Sequence, residues 1–139
     1  MWQDIIISRI FTKNKIVKGL CTVFPVVANE ILIVKDIDDI KGTISDSIRI
    51  VCQTWVSKTE FPFSISIYLR DQSLLPKEKK LYHDIYKVGE FCETLNCEAI
   101  IGDDTINPYS WILIKSRNDY SPIYVDIEAF DCREPYSID

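Results

Sequence analysis

The sequence predicts an α+β domain in which a mainly antiparallel β-sheet of about six to eight strands packs on one long amphipathic helix. Most of the chain alternates apolar and polar residues and is rich in β-branched residues, as strands are. Residues 76–96 instead repeat their apolar side chains every three or four positions, as a helix does. No repeat or linker divides the chain, so residues 1–139 are predicted to form a single domain.

Five strands are predicted before the helix. Each is an apolar, β-branched run bounded by polar or turn-forming residues, and the five cover residues 4–11, 16–24, 29–37, 46–57 and 62–71. The third is apolar on both faces, which favours a central or covered position in the sheet. The fifth alternates most cleanly, and it places Ile65, Ile67 and Leu69 on the face that we expect to be buried.

The one predicted helix runs from Pro76 to Asn96. Its apolar stripe, at steps of four and three, consists of Leu81, Ile85, Val88, Cys92 and Leu95. Proline is tolerated in a first helical turn, and Asn96 suits the left-handed residue that ends a helix. Gly89 is unfavourable, because glycine inside a helix costs about 1 kcal/mol relative to alanine.

Three strands are predicted after the helix, over residues 97–102, 109–116 and 122–130. The last two form a hairpin whose buried rows would be Ile112 and Ile114 on one strand and the odd residues 125–129 on the other. That register pairs even positions of one strand with odd positions of its partner. It leaves aromatic and acidic side chains together on the opposite face: Trp111, Tyr124, Asp126 and Glu128.

The net charge of −5 is spread unevenly along the chain. Residues 1–20 contain four basic and one acidic side chain, whereas residues 97–139 contain three basic and nine acidic ones. An acidic C-terminal third should repel nucleic acid and anionic lipid and attract a basic protein. We therefore expect neither nucleic acid nor a membrane as a partner.

The cysteines and the apolar runs predict a cytosolic protein. Five cysteines are odd in number, scattered and without a C-x-x-C pair, which is typical of reduced thiols and does not suit a zinc site. No segment has the roughly 18 apolar residues that a membrane span needs. The first residues lack the basic region of a signal peptide, since Asp4 lies there.

Gly102-Asp103-Asp104 directly follows an apolar run, and paired carboxylates after a strand can hold Mg²⁺. A metal-dependent hydrolase would use Asp103 and Asp104 with Asp126 and Glu128. Glycine and aspartate are also ordinary turn residues, and no second motif accompanies them. We interpret the stretch as a turn and predict no catalytic residue, metal or cofactor, since His83 is the only histidine and no phosphate-binding motif occurs.

The sequence favours a binding protein that neutralises a basic protein partner by occlusion, as bacterial toxin-immunity proteins do. Its predicted contact residues combine steering carboxylates with aromatic anchors. They are Asp103, Asp104, Trp111, Asp119, Tyr124, Asp126 and Glu128. Two alternatives stay open: the metal-dependent hydrolase, and a homo-oligomeric structural or ligand-binding domain (a homodimer, for example) whose aromatic face is a subunit interface.

Overall fold

The computed structural model describes residues 2–35, 42, 44–74, 81–102 and 110–124. Within them the chain forms seven strands and two α-helices, with single 3₁₀ turns at Ala28–Glu30 and Gln72–Leu74. In chain order these are β1 (Gln3–Ile7), α1 (Lys13–Val23), β2 (Ile31–Val34), β3 (Ile50–Val56), β4 (Phe63–Leu69), α2 (Leu81–Leu95), β5 (Ala99–Gly102), β6 (Ser110–Ser116) and β7 (Asp119–Tyr124).

The strands form one sheet in the order β2-β3-β4-β1-β5-β6-β7. Every neighbouring pair is antiparallel except β2 and β3, which run parallel. The predicted α+β class and mainly antiparallel sheet are therefore confirmed. Of the two positions predicted for β2, central or covered, the central one is wrong, because β2 lies at one end of the sheet that the described residues form. Its apolar side chains are buried by packing, as at Ile31, Ile33 and Val34.

The prediction of one long helix is wrong, since the structure has two helices of 11 and 15 residues. The first, α1, occupies most of the segment that was predicted as the second strand. Thr12 caps it by accepting a hydrogen bond from the backbone N–H of Lys15. Ile16, Leu20 and Val23 then fall on one buried face at helical spacing. The second, α2, lies inside the predicted range, and its end is confirmed by Asn96, which has a φ of 54°.

Both helices contribute to one core on the same face of the sheet. Ile5, Ile65 and Ile114 from three strands are fully buried in it together with Leu20 and Phe91 from the helices. The face predicted as buried for β4 is therefore confirmed. The helices approach closely at Gly19, where an added Cβ would lie 2.6 Å from the ring of Phe91.

A smaller apolar cluster lies on the opposite face of the sheet. Ile6, Phe61, Ile100 and Ile123 are buried there, and Trp111 and Leu113 pack against them while partly exposed. Alternate residues of one strand point to opposite faces, so Ile6 belongs to this cluster while Ile5 and Ile7 belong to the main core. Among the residues that the structure describes, no helix has the length and apolar character needed to cross a membrane.

Candidate functional site

The hairpin of β6 and β7 holds the predicted contact residues that the structure describes. Trp111 is the second residue of β6, Asp119 is the first of β7 and Tyr124 is its last. The other four, Asp103, Asp104, Asp126 and Glu128, lie outside the described residues.

The predicted register of this hairpin is wrong. Trp111 pairs with Ile123 and Ser110 pairs with Tyr124, so even positions face even positions. The strands are joined by a turn of only two residues, Arg117 and Asn118, and β7 begins three residues earlier than the sequence pattern predicted. A β-bulge between Ile114 and Ser116 adjusts the pairing next to the turn. The expected buried row at 125–129 lies outside the described residues.

Trp111 is not an isolated exposed ring. It packs on the small apolar cluster of the second sheet face beside Leu113. It also lines a cavity of about 150 Å³ with Trp55, Ser64 and Asp4, whose carboxylate accepts a hydrogen bond from the Ser66 hydroxyl. The tryptophan therefore has a structural role, with part of its surface accessible.

The hairpin turn lies directly against the middle of α2. An added Cβ at Gly89 would be 2.5 Å from the backbone nitrogen of Arg117 and 2.7 Å from the carbonyl carbon of Ser116. Such distances are shorter than any stable contact between these atoms, so only glycine allows this approach. Gly89 therefore weakens α2 by its low helix propensity but allows the hairpin turn to pack against the helix.

Arg117 fastens the turn to α2 with a forked ion pair. Its Nε donates to Glu93 Oε2 at 2.9 Å, one terminal nitrogen donates to Oε1 at 3.2 Å, and its backbone N–H also donates to Oε2 at 2.9 Å. The other terminal nitrogen donates to the Tyr86 hydroxyl at 3.2 Å. These hydrogen bonds lower the pKa of Glu93 and raise the pKa of Arg117.

Beyond the turn, β7 presents its first four residues to solvent. Asp119 and Tyr120 are both exposed, and half of the Tyr120 surface is accessible. Lys115 on β6 lies 4.0 Å from Glu98. The two basic side chains of the hairpin are thus each close to an acidic one, whereas no described residue forms an ion pair with Asp119.

A cleft at the start of α1 was missed from the sequence. It has a volume of about 570 Å³ and is mostly apolar, with Phe11, Trp55 and Val56 in its walls and Lys13 and Lys35 as its charged members. Residues 16–24 also fit a strand pattern and were predicted as a strand, so no helix N-terminus was expected near this cleft. The pattern that indicates the helix is the capping residue Thr12 followed by Ile16, Leu20 and Val23 at helical spacing.

Within the described ranges, no three His, Cys, Asp or Glu side chains cluster as metal ligands would. The hydrolase alternative depends on residues outside those ranges. His83, expected on a solvated surface, is half-buried on α2.

Comparison of the chain with protein-family models, with curated proteins and with solved structures finds no match. The function of the chain is therefore inferred from its own side chains and charges.

Proposed function

We propose that this chain is a cytosolic binding protein that neutralises a basic protein partner by occlusion, in the manner of bacterial toxin-immunity proteins. The contact surface is the β6–β7 hairpin together with the acidic residues that precede and follow it along the chain. Nucleic acid and membranes are not its partners. The roles assigned here are those of steering charges and anchors, with no catalytic step.

The observation that carries this proposal is the concentration of negative charge in residues 97–139, which hold nine of the 21 acidic side chains and three of the 16 basic ones. A surface of one sign raises the rate at which an oppositely charged protein associates. The same charge repels the phosphates of nucleic acid and of anionic lipid. A cationic protein is thus the partner that fits this part of the chain best.

The charges that the structure describes support the same partner. Arg117 is engaged by Glu93 at 2.9 Å and Lys115 lies 4.0 Å from Glu98, so the positive charges of the hairpin are compensated locally. Asp119 is exposed at the start of β7 and has no ion-pair partner among the described residues. The hairpin therefore offers a partner uncompensated negative charge.

Tyr120 supports the proposal as an anchor. Its ring is half exposed next to Asp119, and tyrosine is among the residues that contribute most to binding energy at protein interfaces. Trp111 and Tyr124 stay in the proposed surface as aromatic residues of the same hairpin. In the observed register Trp111 pairs with Ile123 and Tyr124 pairs with Ser110, so the two positions belong to opposite faces of the sheet. Because α2 holds the turn through Gly89 and Arg117, the hairpin would lose little conformational freedom on binding.

The mechanism follows from these parts. Carboxylates among Asp103, Asp104, Asp119, Asp126 and Glu128 would steer a cationic active-site cleft into contact, at up to roughly 10⁸ M⁻¹s⁻¹ at low salt. The aromatic side chains would then set the dissociation rate. The partner would be inhibited because its cleft is covered.

The test is capture of a partner by the immobilised chain from an extract of its own cells, at low and at high salt. We expect a basic protein that is retained at low salt and largely lost at high salt, and whose activity falls when the chain is added back. Retention of the protein at high salt together with an unchanged activity on addition of the chain would contradict the proposal.

The two alternatives predict different results. A melting temperature that is raised by Mg²⁺ or Ca²⁺ would support the hydrolase, and a melting temperature that rises with protein concentration would support the homo-oligomer.

A further inference from the structure

The C-terminus of α2 brings two cysteine residues together. Asn96 adopts the left-handed conformation with a φ of 54°, and the backbone N–H of Cys97 donates to the carbonyl oxygen of Cys92 at 3.1 Å. This bond between the sixth and the first residue of the ending is the Schellman motif. A contact between the side chains of these two positions frequently accompanies that motif. Here both are thiols.

The two thiols differ in their access to solvent. Cys92 is 1% exposed, and its Sγ lies 3.7 Å from the carbonyl oxygen of Ile114, to which it can donate. Cys97 is 8% exposed and lines an open cleft of about 470 Å³. The other residues of this cleft are Ser8, Asn96, Glu98 and Lys115. A small molecule from solvent can therefore reach Cys97 first.

The surroundings of Cys97 also favour its thiolate. The interaction with the neighbouring Cys92 thiol lowers the pKa of Cys97, and the positive charge of Arg9 lowers it further, whereas the pKa of Cys92 is raised. Burial and Glu98 act in the opposite direction on Cys97. At the fully buried Cys52, by contrast, burial is the cause of the shift, and it raises the pKa of the thiol to about 12.

We propose that Cys97 and Cys92 form a redox-active dithiol site for low-molecular-weight disulfides, in which Cys97 attacks and Cys92 resolves. This site borders β6 through Lys115, but the inference does not depend on the proposed function. A purely structural contact at these two positions would not require sulfur, because any pair of apolar side chains could form it. The exposure of only one of the two thiols in an open cleft fits the division between an attacking and a resolving cysteine.

The reaction is a thiol–disulfide exchange in two steps. The Cys97 thiolate attacks one sulfur of the small disulfide, so that the old S–S bond breaks and one small thiolate leaves and takes up a proton. The Cys92 thiol then gives up its proton as its sulfur attacks Cys97 Sγ, the mixed S–S bond breaks, and the second small thiolate leaves and takes up a proton. The chain is oxidised by two electrons to an intramolecular disulfide, and one small disulfide is reduced to two thiols.

The test is incubation of the native full-length chain with oxidised glutathione, followed by acid quenching, alkylation of free thiols and peptide mass spectrometry. We expect a mass lower by two hydrogen atoms, mapped to a Cys92–Cys97 bond that forms at least roughly tenfold faster than any adduct at the part-exposed Cys21. In urea this preference should disappear. Faster reaction at Cys21, or a native chain in which Cys92 and Cys97 both stay reduced, would overturn the proposal.

Two variants separate the roles of the thiols. Cys92→Ala should accumulate a glutathione adduct on Cys97, because no resolving thiol is left. Cys97→Ala should leave Cys92 unmodified, because Cys92 is buried. Cys21→Ala is the matched control and should form the Cys92–Cys97 bond at the rate of the unchanged chain. Modification of Cys92 in folded Cys97→Ala at that same rate would show that Cys97 is not the attacking residue.

Discussion

Gly89 illustrates how a residue that is unfavourable for its own element can be required by the neighbouring one. By helix propensity alone it costs about 1 kcal/mol relative to alanine. In the structure its missing side chain lets the backbone of Arg117 and Ser116 lie against α2. Contacts with backbone atoms cannot be relieved by a side-chain rotation, so steric exclusion outweighs propensity at this position.

Gly89→Ala should therefore destabilise the chain by about 1–3 kcal/mol, as measured by urea unfolding, although alanine is the better helix former. Gly102→Ala is the matched control, because a Cβ there meets nothing within 4 Å. It should change the free energy of unfolding by less than about 0.5 kcal/mol. An increase in stability for Gly89→Ala would mean that the hairpin turn does not lie on α2.

The Arg117–Glu93 pair gives a prediction about pH. Hydrogen bonds from Arg117 lower the pKa of Glu93 below its ordinary value of 4.5. The ionised carboxylate therefore stabilises the folded chain above that pH, and this stabilisation is lost as the pH falls through the folded-state pKa.

Glu93→Gln should accordingly have a lower melting temperature than the unchanged chain at pH 7, and the difference should shrink below about pH 4.5. Glu60→Gln, at an exposed residue of the β3–β4 connection, should show little difference at either pH. If the melting temperatures of Glu93→Gln and the unchanged chain differ as much at pH 3 as at pH 7, the stabilising role proposed for the Glu93 carboxylate would be contradicted.

At the scale of elements, the sequence predicts segments with one clear period and fails where two periods fit. Residues 81–95 and 63–69 each match a single pattern, helical and alternating respectively, and both are confirmed. Residues 16–24 contain Ile16, Leu20 and Val23 at helical spacing, but their β-branched composition also fits a strand. The packing of α1 on α2 decides between the two, and that packing is not visible along the chain.

The hairpin register could not be predicted for a related reason. The predicted register assumes that the sheet has one buried face, whereas apolar residues are buried on both: Ile112 and Ile114 lie in the main core and Ile123 lies in the smaller cluster. The two-residue turn at Arg117 and Asn118 sets the observed register, and the position of this turn depends on contact with Gly89 from another element. The acidic character of the site, by contrast, is readable directly from composition, since it requires no knowledge of the fold.

The N-cap of α1 provides a test of this helix, whose segment was predicted as a strand. Thr12→Ala removes the hydroxyl that accepts from Lys15 and should cost about 1 kcal/mol in urea unfolding. Thr22→Ala changes the same side chain inside the helix, where Thr22 is exposed and only donates to the Lys18 carbonyl. It should be neutral within about 0.5 kcal/mol. Equal effects of the two substitutions would argue against a helix that begins after Thr12.

At the scale of the whole molecule, charge is separated between the two ends of the chain. Residues 1–20 have a net charge of +3 and residues 97–139 have a net charge of −6. The first of these segments supplies β1 and the start of α1, and the second supplies β5, β6 and β7. Of the nine acidic side chains of the second segment, Glu98 and Asp119 lie among the described residues. A basic partner should be attracted by residues 97–139 and repelled by residues 1–20.

The most direct test of the binding proposal compares the association rates of two double charge reversals with the captured partner. Asp126→Lys with Glu128→Lys changes the proposed surface, and Asp46→Lys with Glu60→Lys makes the same change of charge at exposed residues elsewhere. At low salt we expect the first variant to associate on the order of tenfold more slowly or not at all, while the second stays close to the unchanged chain. Equal rates for the two variants would contradict an acidic docking surface at the β6–β7 hairpin.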